Sequence, residues 1–394
     1  MDSSYWIIIL SLSVLISYIF DLLSSRYKTP SVILLLALGM IIRQATNYLE
    51  VQLPFIDQTL ALLGQLGLIL IVLEGGLDLE LQPERYGLIR RTFLMALSSI
   101  VITSLLIATT LYLLLEESFD KCLVNATPFA VISSAVAIPS VRNLAYAQRE
   151  FVTYESSFSD ILGVMLFNFL VLSSESSVFD ASFVFVRDTV LMAVISLVCC
   201  FLLLYLISRI NHPVKFLPII SVLFLVYAIA KIYQLSSLLL ILVFGLFLNN
   251  TELFIKGRLD QIFKNDLFER ELDQLKNLTT EGAFVVRTFF FLLFGYAANA
   301  KTMLDMDALI VSLIFVLVVV GVRFLTLRAT FRGSIYPILW IAPRGLITIL
   351  LYLGIPPKLM LTGFREGILM LVVIFSALVM MVGVITHKPN TNQM

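Results

Sequence analysis

The sequence predicts an all-α membrane protein of about 13 transmembrane helices, arranged as two inverted repeats with crossed, Pro-interrupted helices. Three observations predict it. Of its 394 residues 59% are hydrophobic and 14% charged, against about 25% charged in an ordinary soluble domain. Apolar runs of about 20 residues recur from end to end, each long enough to cross about 30 Å of hydrocarbon. Proline also interrupts two apolar runs that would occupy equivalent places in the two halves, at Pro139 and Pro343.

Taken in order, the runs fall at 5–23, 30–48, 57–77, 88–115, 127–147, 151–174, 183–210, 215–233, 236–250, 282–300, 306–330, 335–355 and 366–386. The first, Trp6 to Leu23, follows an acidic start with no basic segment and no small-residue cleavage site, so it reads as a retained helix. About eight residues follow the last run, which leaves no room there for a nucleotide-binding domain. The connection 251–281 reads as a separate amphipathic helix along the interface. Leu259, Ile262, Phe263, Phe268, Leu272 and Leu275 recur there at helical spacing, with Lys264, Asp266, Glu269, Arg270 and Asp273 between them.

Charge supplies orientation. One side of this arrangement carries 18 of the 27 Lys and Arg and the other 7, with Arg287 and Arg344 inside spans. The excess marks the cytoplasmic side, placing the N-terminus outside and the C-terminus inside, in a plasma (inner) membrane. Zero net charge gives no footing for nucleic acid. Cys122, Cys199 and Cys200 are too few for a disulfide framework. No cofactor motif occurs. No H-E-x-x-H pattern points to a zinc protease, and His212 and His387 lie at span ends, away from any midplane proton path.

Charge inside hydrocarbon is expensive, about 2.5–3.5 kcal/mol per residue on insertion scales, so it marks function. The sixth run holds Glu155 and Asp160, the latter about nine residues in, roughly 14 Å deep at 1.5 Å per residue. Arg344 reaches a similar depth in the twelfth run. Glu155 and Arg344 are therefore expected to form a structural ion pair, which leaves Asp160 unpaired at the midplane. The fifth run carries Ser133, Ser134 and Pro139, and the twelfth Pro343-Arg344-Gly345. Paired broken helices at equivalent positions point to a transporter's binding site, where unwound backbone carbonyls face the ion. Arg287, about five residues into the tenth run, either offsets core carboxylates or snorkels to the interface.

Glu155-Ser156 with Ser159-Asp160, followed late in the chain by Arg344-Gly345, resembles the monovalent cation/proton antiporter superfamily, and within it the sodium/proton exchanger branch. Leu73-Glu74-Gly75-Gly76-Leu77-Asp78 and Phe289-Phe290-Phe291 to Gly295 also resemble its patterns. The resemblance implies the antiporter fold, with a cation and proton site at Asp160, completed here by Ser159, Ser133, Ser134 and Ser156, and Na⁺ as the ion on Asp160. It implies scaffold and dimerisation helices over 1–87 and 183–300, transporting core helices over 88–182 and 301–394, a homodimer, and a part in pH homeostasis. This sequence departs from the family pattern twice. Ser159 stands where Asn or Asp usually precedes the essential Asp, and Ile138 precedes Pro139 where Asp is common.

The function expected is exchange of a monovalent cation (Na⁺, Li⁺ or K⁺) for H⁺ by alternating access, electroneutral because Asp160 alone is free to titrate. A proton-coupled organic-solute transporter on a similar inverted-repeat scaffold is the alternative.

Overall fold

The computed structural model describes residues 3–27, 30–48, 56–81, 83–141, 144–174, 178–209, 216–232, 237–254, 266–331, 334–362, 364 and 366–386. Its elements are α1 (Ser3–Tyr27), α2 (Ser31–Tyr48), α3 (Ile56–Asp78), α4 (Tyr86–Leu115), α5 (Phe119–Ala130), α6 (Ser134–Ser140), α7 (Tyr146–Ser173) and α8 (Val178–Arg209). They continue as α9 (Phe216–Ile232), α10 (Ser237–Asn249), α11 (Thr251–Phe254), α12 (Asp266–Ala297), α13 (Ala300–Met303), α14 (Met306–Thr330), α15 (Leu346–Leu353) and α16 (Glu366–Thr386). Short 3₁₀ turns stand at Pro83–Arg85, Ile338–Trp340 and Pro357–Leu359.

Among the described residues, nine segments are long and apolar enough to cross a membrane. The shorter apolar helices Ser11–Leu23, Phe216–Ile232 and Ser237–Asn249, with the interrupted segment around α15, fill the remaining predicted spans. Large apolar side chains on the outside follow helical spacing. On α8, Phe179, Phe183, Val186, Val190, Val194 and Val198 are all exposed, a face that only lipid or another apolar surface can cover.

Two expectations need correction. The connection 251–281 is not a separate interfacial helix from Asp266 onward, because that stretch runs unbroken into the tenth span as α12. Once a helix is nucleated, each further residue adds a hydrogen bond, and nothing between Asp266 and Ala297 removes a donor. Leu259, Ile262, Phe263 and Lys264 lie outside the described residues. The fifth span begins at Phe119, not near 127, and its break falls at 131–133, not at Pro139. Pro128 sits one turn before that break, and Pro139 is carried within α6.

The chain packs as two compact units. One comprises Met1–Gly67, Arg90–Gly163 and Val285–Met394, and the other Leu68–Ile89 and Val164–Phe284. In the first, Phe129 is fully buried among Phe315, Tyr352 and Phe364, at centroid distances of 5.2, 6.1 and 5.9 Å. Ser17 and Thr288 share a buried hydroxyl hydrogen bond of 2.7 Å between α1 and α12.

In the second unit α3 and α10 meet backbone to backbone. A Cβ on Gly76 would lie 3.0 Å from the Leu242 carbonyl oxygen, and one on Gly245 2.9 Å from that of Leu73. Two asparagines at the end of α10 tie off the end of α3. Asn249 and Asn250 both donate to the Leu79 carbonyl, at 3.0 and 2.8 Å, and Asn250 Oδ1 accepts from Leu81 N at 2.6 Å. Asn250 also donates to the Leu246 carbonyl of its own helix.

Asn250→Ala strips the Leu81 amide of its acceptor, whereas Asn249→Ala leaves the Leu79 carbonyl still served. Leaving a buried polar group without a partner costs about 1–3 kcal/mol. Asn250→Ala should therefore lower the apparent melting temperature in detergent by several degrees, and Asn249→Ala by clearly less, measured side by side.

Candidate functional site

The site lies within the first unit, where the two interrupted segments meet. In the first segment α5 ends at Ala130, residues 131–133 run extended, and α6 resumes at Ser134. In the second, residues 341–345 are non-helical between the Ile338–Trp340 turn and α15. Ser133 N donates to the Pro343 carbonyl at 2.9 Å, which joins one break to the other. Gly345 is required at this crossing, since a Cβ there would lie 2.6 Å from Ser133 Oγ.

An interrupted helix leaves its last carbonyls without amide partners, and hydrocarbon offers no water to serve them. Arg344 serves them here. Its Nε donates to Phe129 O at 2.7 Å and its Nη2 to Ala130 O at 3.1 Å, at the C-terminal end of α5. Its Nη1 donates to Ala342 O at 2.8 Å in its own break. The partial negative charge at the end of α5 favours a cation in that place. The Arg344 amide in turn donates to Ser376 Oγ on α16 at 2.9 Å.

The expected pair of Glu155 with Arg344 is corrected by this geometry. Glu155 on α7 pairs with Arg323 on α14, Nη1 to Oε1 at 2.6 Å and Nη2 to Oε2 at 3.0 Å, both side chains being 1% exposed. Arg323 Nε donates to Ile338 O at 3.0 Å, so this bidentate pair also holds the turn leading into the second break. The physical reason is depth. Glu155 stands about two and a half turns into α7, and Arg323 about two turns before the end of α14. Arg323 lies inside the predicted 306–330 run, near its end, where a cation ordinarily marks the interface. Phe324, Leu325 and Leu327, directly after it, carry the apolar helix past it.

Asp160 follows Glu155 by five residues, which at about 100° per residue turns it roughly 140° away around α7. It therefore faces the first break instead of α14. Its Oδ2 accepts from Ser134 N at 3.2 Å and from the Ser134 hydroxyl. Its Oδ1 is buried and has no hydrogen-bond partner among the described residues, and the same is true of Ser133 Oγ. Ser159 Oγ accepts from Ile132 N at 2.9 Å, so the amides of Ile132, Ser133 and Ser134 all find acceptors on other segments. Gly163, one turn beyond Asp160, lets α7 approach; a Cβ there would lie 2.3 Å from a methyl of Val131.

Not every predicted residue arrives. Ser156 is buried, and its hydroxyl bonds the Thr153 carbonyl of its own helix at 3.3 Å, not the Asp160 carboxylate. Arg287 is half-buried and donates to Ala135 O at 3.2 Å, in the first turn of α6. Ser376 and Gly163 went unread because a hydroxyl or a glycine in an apolar run carries no signal until its neighbour across the fold is known. Among the described residues no group of three or more His, Cys, Asp or Glu gathers, so a hard cation here would rely on one carboxylate and neutral oxygens.

A buried carboxylate beside the crossing of two interrupted membrane helices defines a secondary active transporter. The family model described as "Sodium/hydrogen exchanger, transmembrane" matches residues 11–388, and the chain belongs to that family, a family of cation/proton antiporters. In fold it is similar to the sodium proton antiporter MjNhaP1 from Methanocaldococcus jannaschii. The structure of that protein at pH 8 superposes with a TM-score of 0.72 at 18% identity, over 98% of this chain and 96% of that one. A second structure of the same antiporter, from electron microscopy, gives 0.67 at 17% identity, over 98% and 95%. No curated protein sequence matches the chain. Family membership sets aside the organic-solute alternative.

Removing one partner of a buried pair strands the other and typically costs about 3–5 kcal/mol. Glu155→Gln and Arg323→Ala should each lower thermal stability markedly, and the double variant should recover part of the loss. The cycle of Glu155→Gln with Arg344→Ala should be closer to additive, since those side chains share no hydrogen bond. Melting in detergent across both cycles checks the pairing.

Proposed function

We propose that this antiporter exchanges one Na⁺ for one H⁺ by alternating access, with Asp160 carrying either ion. The observation that carries this reading is the unequal engagement of the two acids on α7. Glu155 is spent on Arg323, while Asp160 keeps one buried oxygen without a protein donor among the described residues. Burial disfavours the bare carboxylate, and either a proton or a small cation relieves it. The two ligands therefore compete for one charge, and the loaded site is neutral with either. An empty, charged site crosses poorly between access states, which couples the two fluxes.

Ser134 orients the carboxylate, and Ser133 Oγ, buried in the same break without a partner among the described residues, is the proposed neutral ligand. Oxygen donors suit Na⁺, Li⁺ and K⁺, with Na⁺ proposed as the principal ion. Ser159 acts through the backbone, its hydroxyl accepting the Ile132 amide. It carries no titrating proton, so one charge enters for each that leaves and exchange is electroneutral. Arg287 donates to the Ala135 carbonyl, next to Ser134, and so holds the first turn of α6.

The helices over 88–182 and 301–394 would form the moving core, since Glu155, Asp160, Arg323 and Arg344 all belong to them. Those over 1–87 and 183–300 would form the scaffold of a homodimer. The excess of Lys and Arg supports an outside N-terminus and a cytoplasmic C-terminus in the plasma membrane, where such exchange serves pH homeostasis.

Asp160→Asn keeps the shape and removes the charge. Proton movement driven by a Na⁺ gradient in proteoliposomes should disappear while the protein still folds; wild-type rates in a folded sample would sink the mechanism. Clamping the voltage at about 100 mV acts with about 2.3 kcal/mol on each uncompensated charge, a shift of more than tenfold in an electrogenic equilibrium. The equilibrium cation ratio should stay put under that clamp. Apparent cation affinity should also improve as pH rises and proton competition falls, then level off.

A further inference from the structure

Beside the second break lies a groove of about 340 Å³, lined by Trp340, Leu378, Val379, Val382, Gly383 and Thr386. Its walls are the Ile338–Trp340 turn and the second half of α16. At Gly383 a Cβ would lie 2.3 Å from Trp340 Cβ, so the missing side chain is what lets the indole seat against the helix. Thr386 provides the one side-chain hydroxyl of the lining, at the very end of α16. The volume falls at the lower end of the ~300–1,000 Å³ usual for small-molecule sites.

The surroundings say what fills it. The α16 span has a mean hydropathy of 3.1, and Val382 (57% exposed) and Ile385 (47%) lie on its outer face. In a membrane protein such a face meets hydrocarbon, and the groove is continuous with it through Val382. The segment that follows α16 in sequence, His387-Lys388-Pro389-Asn390-Thr391-Asn392-Gln393-Met394, is too polar to suit this lining. We infer that the groove is a binding slot for a single acyl chain of a membrane phospholipid.

The slot is mechanically close to Arg344. Trp340 precedes Arg344 by four residues, and Ser376, which accepts the Arg344 amide, lies about two turns before Gly383 on the other wall. The binding claim is independent of the transport mechanism proposed above, and its test needs no transport assay.

The chain has 2 tryptophans, so Trp6→Phe leaves Trp340 as the only one, read by excitation selective for tryptophan. The full-length protein is reconstituted in vesicles with rising fractions of a phosphatidylcholine brominated on its acyl chains. Trp340 emission should be quenched in excess of the bulk brominated fraction and should saturate. Val379→Phe, which fills the slot, should bring quenching down to the bulk proportion, and Val379→Ala, which widens it, should keep the excess. Quenching proportional to bulk lipid in the Trp6→Phe protein and in Val379→Ala overturns the slot. Absent quenching overturns it too, since another protein surface, such as a second copy, would then cover Trp340.

Discussion

Interrupting a helix in the middle of a membrane exposes carbonyls and amides that lipid cannot satisfy, and the neighbourhood of the crossing is built around that constraint. The carbonyls of Phe129 and Ala130 go to Arg344, and the amides of Ile132, Ser133 and Ser134 go to Ser159, Pro343 and Asp160. Each break is thus completed by residues of other segments. Neither would be stable alone, because an unpaired peptide group in hydrocarbon costs several kcal/mol. The open backbone that an ion site needs is available only because this exchange of hydrogen bonds is nearly complete.

The two fully buried arginines among the described residues solve different problems. Arg323 answers a full negative charge, with bidentate geometry to Glu155 that suits a planar guanidinium. Arg344 answers partial charges, three carbonyls at a helix end and its own break. Lysine could not replace either without loss, since a point charge lacks the fork that reaches two oxygens at once. With both cations committed, Asp160 stands apart with Ser134 alone on its Oδ2.

Serine at 159 and the lack of an acid before Pro139 are consistent within this geometry. Ser159 lies close enough to the first break to accept the Ile132 amide directly, so a longer Asn side chain is not needed for that bond. Ile138 sits in α6, a turn beyond Ser134, and the side-chain oxygen that meets Asp160 is the Ser134 hydroxyl instead. The proposed ion site is correspondingly lean, one carboxylate with hydroxyl neighbours.

By itself the sequence determined the medium and the number of spans, because apolar runs of bilayer length have no soluble alternative. It also picked out the acids that the fold buries: Asp160 and Glu155 stood out since charge in hydrocarbon is costly wherever the helices pack, and Pro343-Arg344-Gly345 marked one break. Tertiary structure decided who pairs with whom. Arg323 and Glu155 carried no sign of each other until α14 was seen to bring them together, and Arg344 looked like an acid's partner until α5 ended beneath it. The break at 131–133 was misplaced to Pro139 for the same reason. Where a helix stops in a membrane depends on which foreign groups stand ready to take its hydrogen bonds, and here those come from Ser159 and Asp160 on α7 and from Arg344, more than 200 positions away in the chain.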